Sequence, residues 1–149
     1  ASPVSEAERR HSCLGEASLP HTQALQNLME QTHALLRTIQ RLSRQAGPQT
    51  ARVLSSLYAG MHQEQRRLSV AYFLITGSRC RPSQPALPLS SSLDGGLRTL
   101  FQAFQQRSAQ ALACADAVQD PCLRQLFQAL GGQSEQAAAR LRRLLEMLE

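Results

Sequence analysis

The stretch GSRCRPSQPALPLSSSLDGG, residues 77–96, decides how the rest of this chain must fold. Pro82, Pro85 and Pro88 each remove a backbone donor and fix φ, and the serines and glycines around them favour turns, so neither helix nor strand is expected here. On both sides of it the sequence is dominated by Leu, Ala, Gln and Arg, with few aromatic or β-branched residues. That composition favours helix. At 149 residues the chain is one ordinary domain, able to bury roughly two thirds of its unfolded surface without help from a metal or disulfide.

Before the connector, Leu25, Leu28, Met29, Leu35, Leu36, Ile39 and Leu42 recur at spacings of three and four, which predicts a helix over 19–46 stopped by Gly47-Pro48. Leu54, Leu57, Met61, Leu68, Ala71 and Ile75 predict a second over 49–76, ended by Gly77. After the connector, Leu97, Phe101, Phe104, Ala111, Ala115 and Val118 predict a third over 97–118, and Leu123, Phe127, Leu130, Ala137, Leu141, Leu144 and Leu148 a fourth over 122–148. Asp120 is placed to cap the fourth helix, with Pro121 at its first position. Residues 1–18 are polar and aperiodic, and read as a flexible arm outside the 19–149 bundle.

Two short turns thus make two hairpins, and the long connector, taken as 77–96, joins them. Helices of this size are about 40 Å long, and twenty extended residues reach up to about 66 Å. An up-down-up-down bundle needs only a short turn at this point. The expected fold is therefore all-α: a four-helix bundle of two antiparallel hairpins joined by a crossover that leaves the second and third helices parallel.

All sixteen basic residues are Arg, and the net charge is +5. They are spread along the chain without interleaved aromatics, so solvated helix faces are expected and a nucleic-acid partner is not. No apolar run reaches the ~20 residues of a membrane span, and no signal-peptide pattern precedes the bundle. A soluble cytoplasmic protein is the expectation, with secretion the alternative. Cys13, Cys80, Cys114 and Cys122 have no zinc spacing. They read as idle thiols, unless an antiparallel first hairpin brings Cys13 and Cys80 into a disulfide in an oxidising compartment.

One carboxylate stands out. In MHQEQRRLSVAYFLITG, residues 61–77, Glu64 falls on the apolar stripe. Positions equidistant from the two turns share a height, so the core should present Thr32, Met61, Glu64, Ser108, Ser134 and Ala137 at one level. Six such slots are those a di-metal carboxylate bundle fills with Glu and Glu-x-x-His. With DPCLRQLFQALGGQSEQAAARLRRLL, residues 120–145, the chain resembles the ferritin-like superfamily, in its rubrerythrin-type branch. In that resemblance Ser134-x-x-Ala137 and Met61-x-x-Glu64 stand where the family carries Glu-x-x-His. It implies an ancestral di-iron site whose ligand positions have degenerated.

One carboxylate and no histidine is too poor a donor set for two irons. The leading expectation is thus a non-enzymatic bundle with no cofactor and no metal, serving as a protein-interaction or self-assembly module. The alternative is a metal-binding ferritin-like protein, in which the resemblance implies iron and its oxidation, storage or use in peroxide reduction. Its site would lie around Glu64, with Glu30, His33 and Glu135 as further candidates; Glu30-x-x-His33 has ligand spacing but falls off the inward stripe. A secreted helical signalling protein is a third class, disfavoured by the two short turns. Glu64 itself either acts as a lone acid or ion anchor, or is held by Gln65, Thr32, Ser108, Ser134 or an arginine such as Arg107. Gly60 and Gly131-Gly132 sit beside that level, fitting a close helix contact, a kink or a small cavity.

Overall fold

A computed structural model describes residues 13–148. It is all-helical: α1 (Thr22–Ser43), α2 (Pro48–Thr76), α3 (Leu93–Ala117) and α4 (Pro121–Leu148), with one 3₁₀ turn, Glu16–His21, ahead of α1. None of these helices is long and apolar enough to cross a membrane.

The helix ends follow local chemistry. Pro48 opens α2, where a missing N–H costs nothing, and Gly77 closes it at φ 74° with its N–H on the Phe73 carbonyl. The third helix begins at Leu93 rather than 97, because the Ser92 side chain accepts the Gly95 N–H at 3.0 Å and so caps a turn that contains two glycines. Asp120 caps α4 through the Cys122 and Leu123 N–H groups, at 2.9 and 3.2 Å, as its position before Pro121 implies.

Cross-helix partners give the packing order. Gln26 meets Tyr72 and Gln40 meets Tyr58, so partner numbers fall along α2 as they rise along α1. Arg140 reaches Ser56 and Gln49 reaches Met147, which sets α2 beside α4. Gln31 reaches Gln110, and Arg107 reaches Leu28, which sets α1 beside α3.

The core falls into two apolar halves. One gathers Leu35, Ile39, Leu54, Met61, Leu97, Phe104 and Leu141; the other gathers Leu25, Met29, Leu68, Ile75, Ala115, Leu123 and Phe127. Cys80 packs on the second half, Leu87 and Leu89 on the first. The connector therefore travels from one half of the core to the other. It lies along α1, where Glu30 accepts the Ser83 and Gln84 N–H groups, His33 Nδ1 donates to the Gln84 carbonyl at 2.7 Å, and Thr38 Oγ1 accepts the Leu87 N–H at 2.9 Å.

The arm, as far as it is described, is fastened. Residues 1–12, and with them His11, lie outside the described residues, but from Cys13 onward the chain is tied to the turn before α4. Cys13 forms a disulfide with Cys122, not with Cys80, which is a free thiol like Cys114. Asp120 also accepts the Leu14 N–H at 2.6 Å and the Ser18 hydroxyl at 2.7 Å, and Ser18 is fully buried. The flexible arm expected over 1–18 is thus corrected for residues 13–18, which these bonds hold to the bundle.

Candidate functional site

Between the two apolar halves lies a polar layer. Thr32, Glu64, Arg107, Ser108 and Ser134 are all buried there, with Met61 and Ala137 alongside. All six positions assigned to one level from the hairpin geometry are thus interior. Arg107 joins them from α3, where it follows Phe104 and precedes Ala111 on the same stripe; that spacing was the signal for its burial.

Arg107 is the largest fully buried side chain of the core, 1% exposed, and Glu64 is 3% exposed. The guanidinium bridges three helices: Nη2 donates to Thr32 Oγ1 at 2.6 Å and lies 3.6 Å from Glu64 Oε2, while Nη1 donates to the Leu28 carbonyl at 3.2 Å. Thr32 also donates to the Leu28 carbonyl at 2.7 Å, so hydroxyl and guanidinium share one acceptor. Nearby, Ser108 donates to the Gly131 carbonyl at 2.8 Å, tying α3 to α4.

This layer is short of hydrogen bonds. Glu64 Oε2, Arg107 Nε and Ser134 Oγ are buried with no hydrogen-bond partner among the described residues. A buried charge without good donors is costly. Burial accordingly pushes the Glu64 carboxyl up to about 7, against the opposing pull of Arg107 and of Arg67. Burial lowers the Arg107 guanidinium in turn, and Glu64 resists that shift.

Two cavities flank the pair. A pocket of about 240 Å³ between α2 and α4 is lined by Gly60, Met61, Glu64, Phe104, Ala137 and Arg140. A second, of about 460 Å³, lies between α1, α3 and the connector, with Gln31, Gln84, Gln106, Gln110 and Arg107 on its walls. Gly60 opens on free space, whereas a Cβ at Gly131 would come within 2.7 Å of Leu112. Of the glycines beside the layer, one borders a cavity and one permits a close contact between α3 and α4.

The remaining candidates are elsewhere. Glu30 and His33 are occupied in holding the connector, and Glu135 is exposed on α4. His62 stacks on Tyr58, ring centroids 6.3 Å apart. One further group has metal-ligand composition: Cys13, Asp120 and Cys122 present atoms within 4.8 Å of one another. Their sulfurs are bonded to each other, and both Asp120 oxygens already accept N–H or O–H donors, which leaves no donor set for an ion. Sequence reasoning missed this cluster because Cys13 lies in the aperiodic arm.

No protein-family model, no curated protein and no solved structure matches the chain.

Proposed function

We propose that this chain is a non-enzymatic, ferritin-like four-helix bundle whose di-iron site has given way to an internal ion pair, and that it serves as a protein-interaction or self-assembly module. The observation that carries the reading is the Arg107 guanidinium 3.6 Å from Glu64, at the level where the resemblance puts metal ligands. A fixed cation there repels a metal ion and competes for the carboxylate. The other groups at that height are hydroxyls, a thioether and a methyl, a donor set that does not fit two irons.

The topology of the proposal has its own support. Hydrogen-bond partners run in opposite senses in α1 with α2 and in α2 with α4, and for α1 with α3 Leu42 lies against Gly96 while Leu25 clusters with Ala115, which corresponds to antiparallel neighbours with α2 and α3 parallel. The connector's passage from one core half to the other is what such a crossover requires. The rival reading, a metal-binding bundle with an atypical site around Glu64, would need Glu30, His33 or Glu135 at that level, and their hydrogen bonds or exposure argue against it. The Cys13–Cys122 disulfide favours an oxidising compartment over the cytoplasm.

Metal content after anaerobic loading with ferrous iron tests the reading. Near-zero iron is the expected result. About two irons per chain would overturn it in favour of a di-metal protein, and about one would make Glu64 the anchor of a mononuclear site.

A further inference from the structure

We infer that the groove between the second half of α2, the start of α4 and Leu14 docks an acidic amphipathic helix of a partner protein; this rests on reading the bundle as an interaction module. The groove measures about 350 Å³, with Leu14, Val70, Ala71 and Leu126 on its apolar walls and Arg66 and Arg67 at its rim. Val70 is 51% exposed, and on the next turn Leu74 is 57% and Phe73 38% exposed. These three are the large exposed apolar residues of α2, and they continue a stripe at spacings of three and four from the two arginines. Such a face costs solvation unless something covers it.

Charge identifies the cover. None of the residues lining the groove is acidic. Arg79 lies 4.2 Å over the Phe73 ring, adding a third cation. Among the described residues, Arg66, Arg67 and Arg79 have no carboxylate within 4 Å. A second copy of this chain, itself at +5, would bring like charge to that rim. An acidic helix with one apolar row would place its apolar side chains between α2 and Leu126 and its carboxylates on the arginines, the helix-in-groove mode. A lipid surface fits less well at the groove itself, where Leu14, Val70, Ala71 and Leu126 wall a concavity instead of projecting as a wedge.

One wall is held in place deliberately. Leu14 sits at φ 58°, a left-handed conformation disfavoured for any residue but glycine. The Cys13–Cys122 disulfide on one side and the Asp120 carboxylate on its N–H keep it there.

The test is fluorescence anisotropy with a labelled helical peptide of about five turns, Leu along one face and Glu on the other, against the same peptide with Lys for Glu. The Glu peptide should bind at least about tenfold more tightly than the Lys peptide. Val70→Asp with Leu74→Asp should weaken it by about tenfold or more, and Arg66→Glu with Arg67→Glu should reverse the preference. Both positions of the first pair are exposed, and circular dichroism checks that each variant keeps its helices. Equal binding of the two peptides, or no change in the variants, overturns the proposal. Binding instead to phosphatidylglycerol vesicles, or a dimer that the Asp variants dissolve, assigns the face to lipid or to a second copy and overturns it as well. Iron loading reads the polar layer alone, so failure of the groove and failure of the bundle's proposed function are separately visible.

Discussion

Asp120 is half-buried and Glu64 fully buried, and their carboxyls shift in opposite directions. Asp120 accepts the Ser18 hydroxyl and the Leu14, Cys122 and Leu123 N–H groups, all between 2.6 and 3.2 Å. Burial would raise its carboxyl, but those four donors outweigh it and hold the group below the usual carboxylate range. Glu64 Oε2 has one guanidinium at 3.6 Å and no hydrogen bond, and burial wins. The difference is one of position: two of the donors to Asp120 come from the start of α4 and two from the arm fastened beside it. A helix start offers free N–H groups, while at mid-helix every N–H is already spent on the backbone.

The largest test of that contrast removes the cation. Arg107→Met strands a buried carboxylate and should lower stability by about 3–5 kcal/mol at pH 8. At pH 5, where Glu64 carries its proton, the loss should be clearly smaller. Urea unfolding at both values decides the matter; equal losses would mean that the guanidinium does not compensate Glu64.

Next in size is the fastening of the arm beside Asp120. The Cys13–Cys122 bond spans a sequence separation of 109, and Cys13→Ser should cost about 2–4 kcal/mol. Thermal unfolding with and without reductant gives the same comparison in the native chain, and an unchanged midpoint would refute it.

The two carboxylates also predict opposite pH slopes. Glu64 has a folded pKa of about 7 against 4.5 for the free group. Its contribution is complete below 4.5 and is lost as pH rises towards 7, because the unfolded chain ionises first; the change is up to about 3 kcal/mol. Asp120 acts the other way: its contribution is present above the ordinary carboxylate value and is lost as pH falls through its depressed one. Stability measured against pH should show the first slope in the native chain and lose it in Glu64→Gln.

Smaller effects follow. Asp120→Ala removes the cap of α4 and the acceptor of Leu14 and Ser18, for about 1–2 kcal/mol at neutral pH. Gly131→Ala gains helix propensity but pushes Leu112 aside, so its net change should stay within about 1 kcal/mol. A loss several times larger would show that α3 and α4 cannot move apart at Ser108.

Much of the bundle was legible because burial imposes a period on each helix. That Thr32, Met61, Glu64, Ser108, Ser134 and Ala137 all face the interior could be read from the stripe of each helix, and Arg107 was among the partners weighed for Glu64. Three things were not legible. Leu93 to Gly96 read as a breaker, since Ser92's cap is a matter of side-chain geometry. Glu30 and His33 carry ligand spacing, yet their partners are backbone groups of a proline-rich segment with no pattern of its own. Cys13 read as an idle thiol, with Cys80 as its alternative partner by end-of-hairpin reasoning; the direction of an aperiodic arm is fixed only by contacts, here with Asp120.

The disulfide changes what the two chain ends mean mechanically. With Cys13 bonded to Cys122, the whole of α1, α2, the connector and α3 lies within one covalent ring, and α4 alone hangs outside it. Force applied between Cys13 and the end of α4 passes through the sulfurs and reaches only α4, whose Leu144 and Leu141 leave the first core half before Phe127 and Leu123 leave the second, while the ring stays at fixed contour length. Reduced, the same pull would extend all four helices, so the difference in extension reports directly on the oxidation state of a single bond.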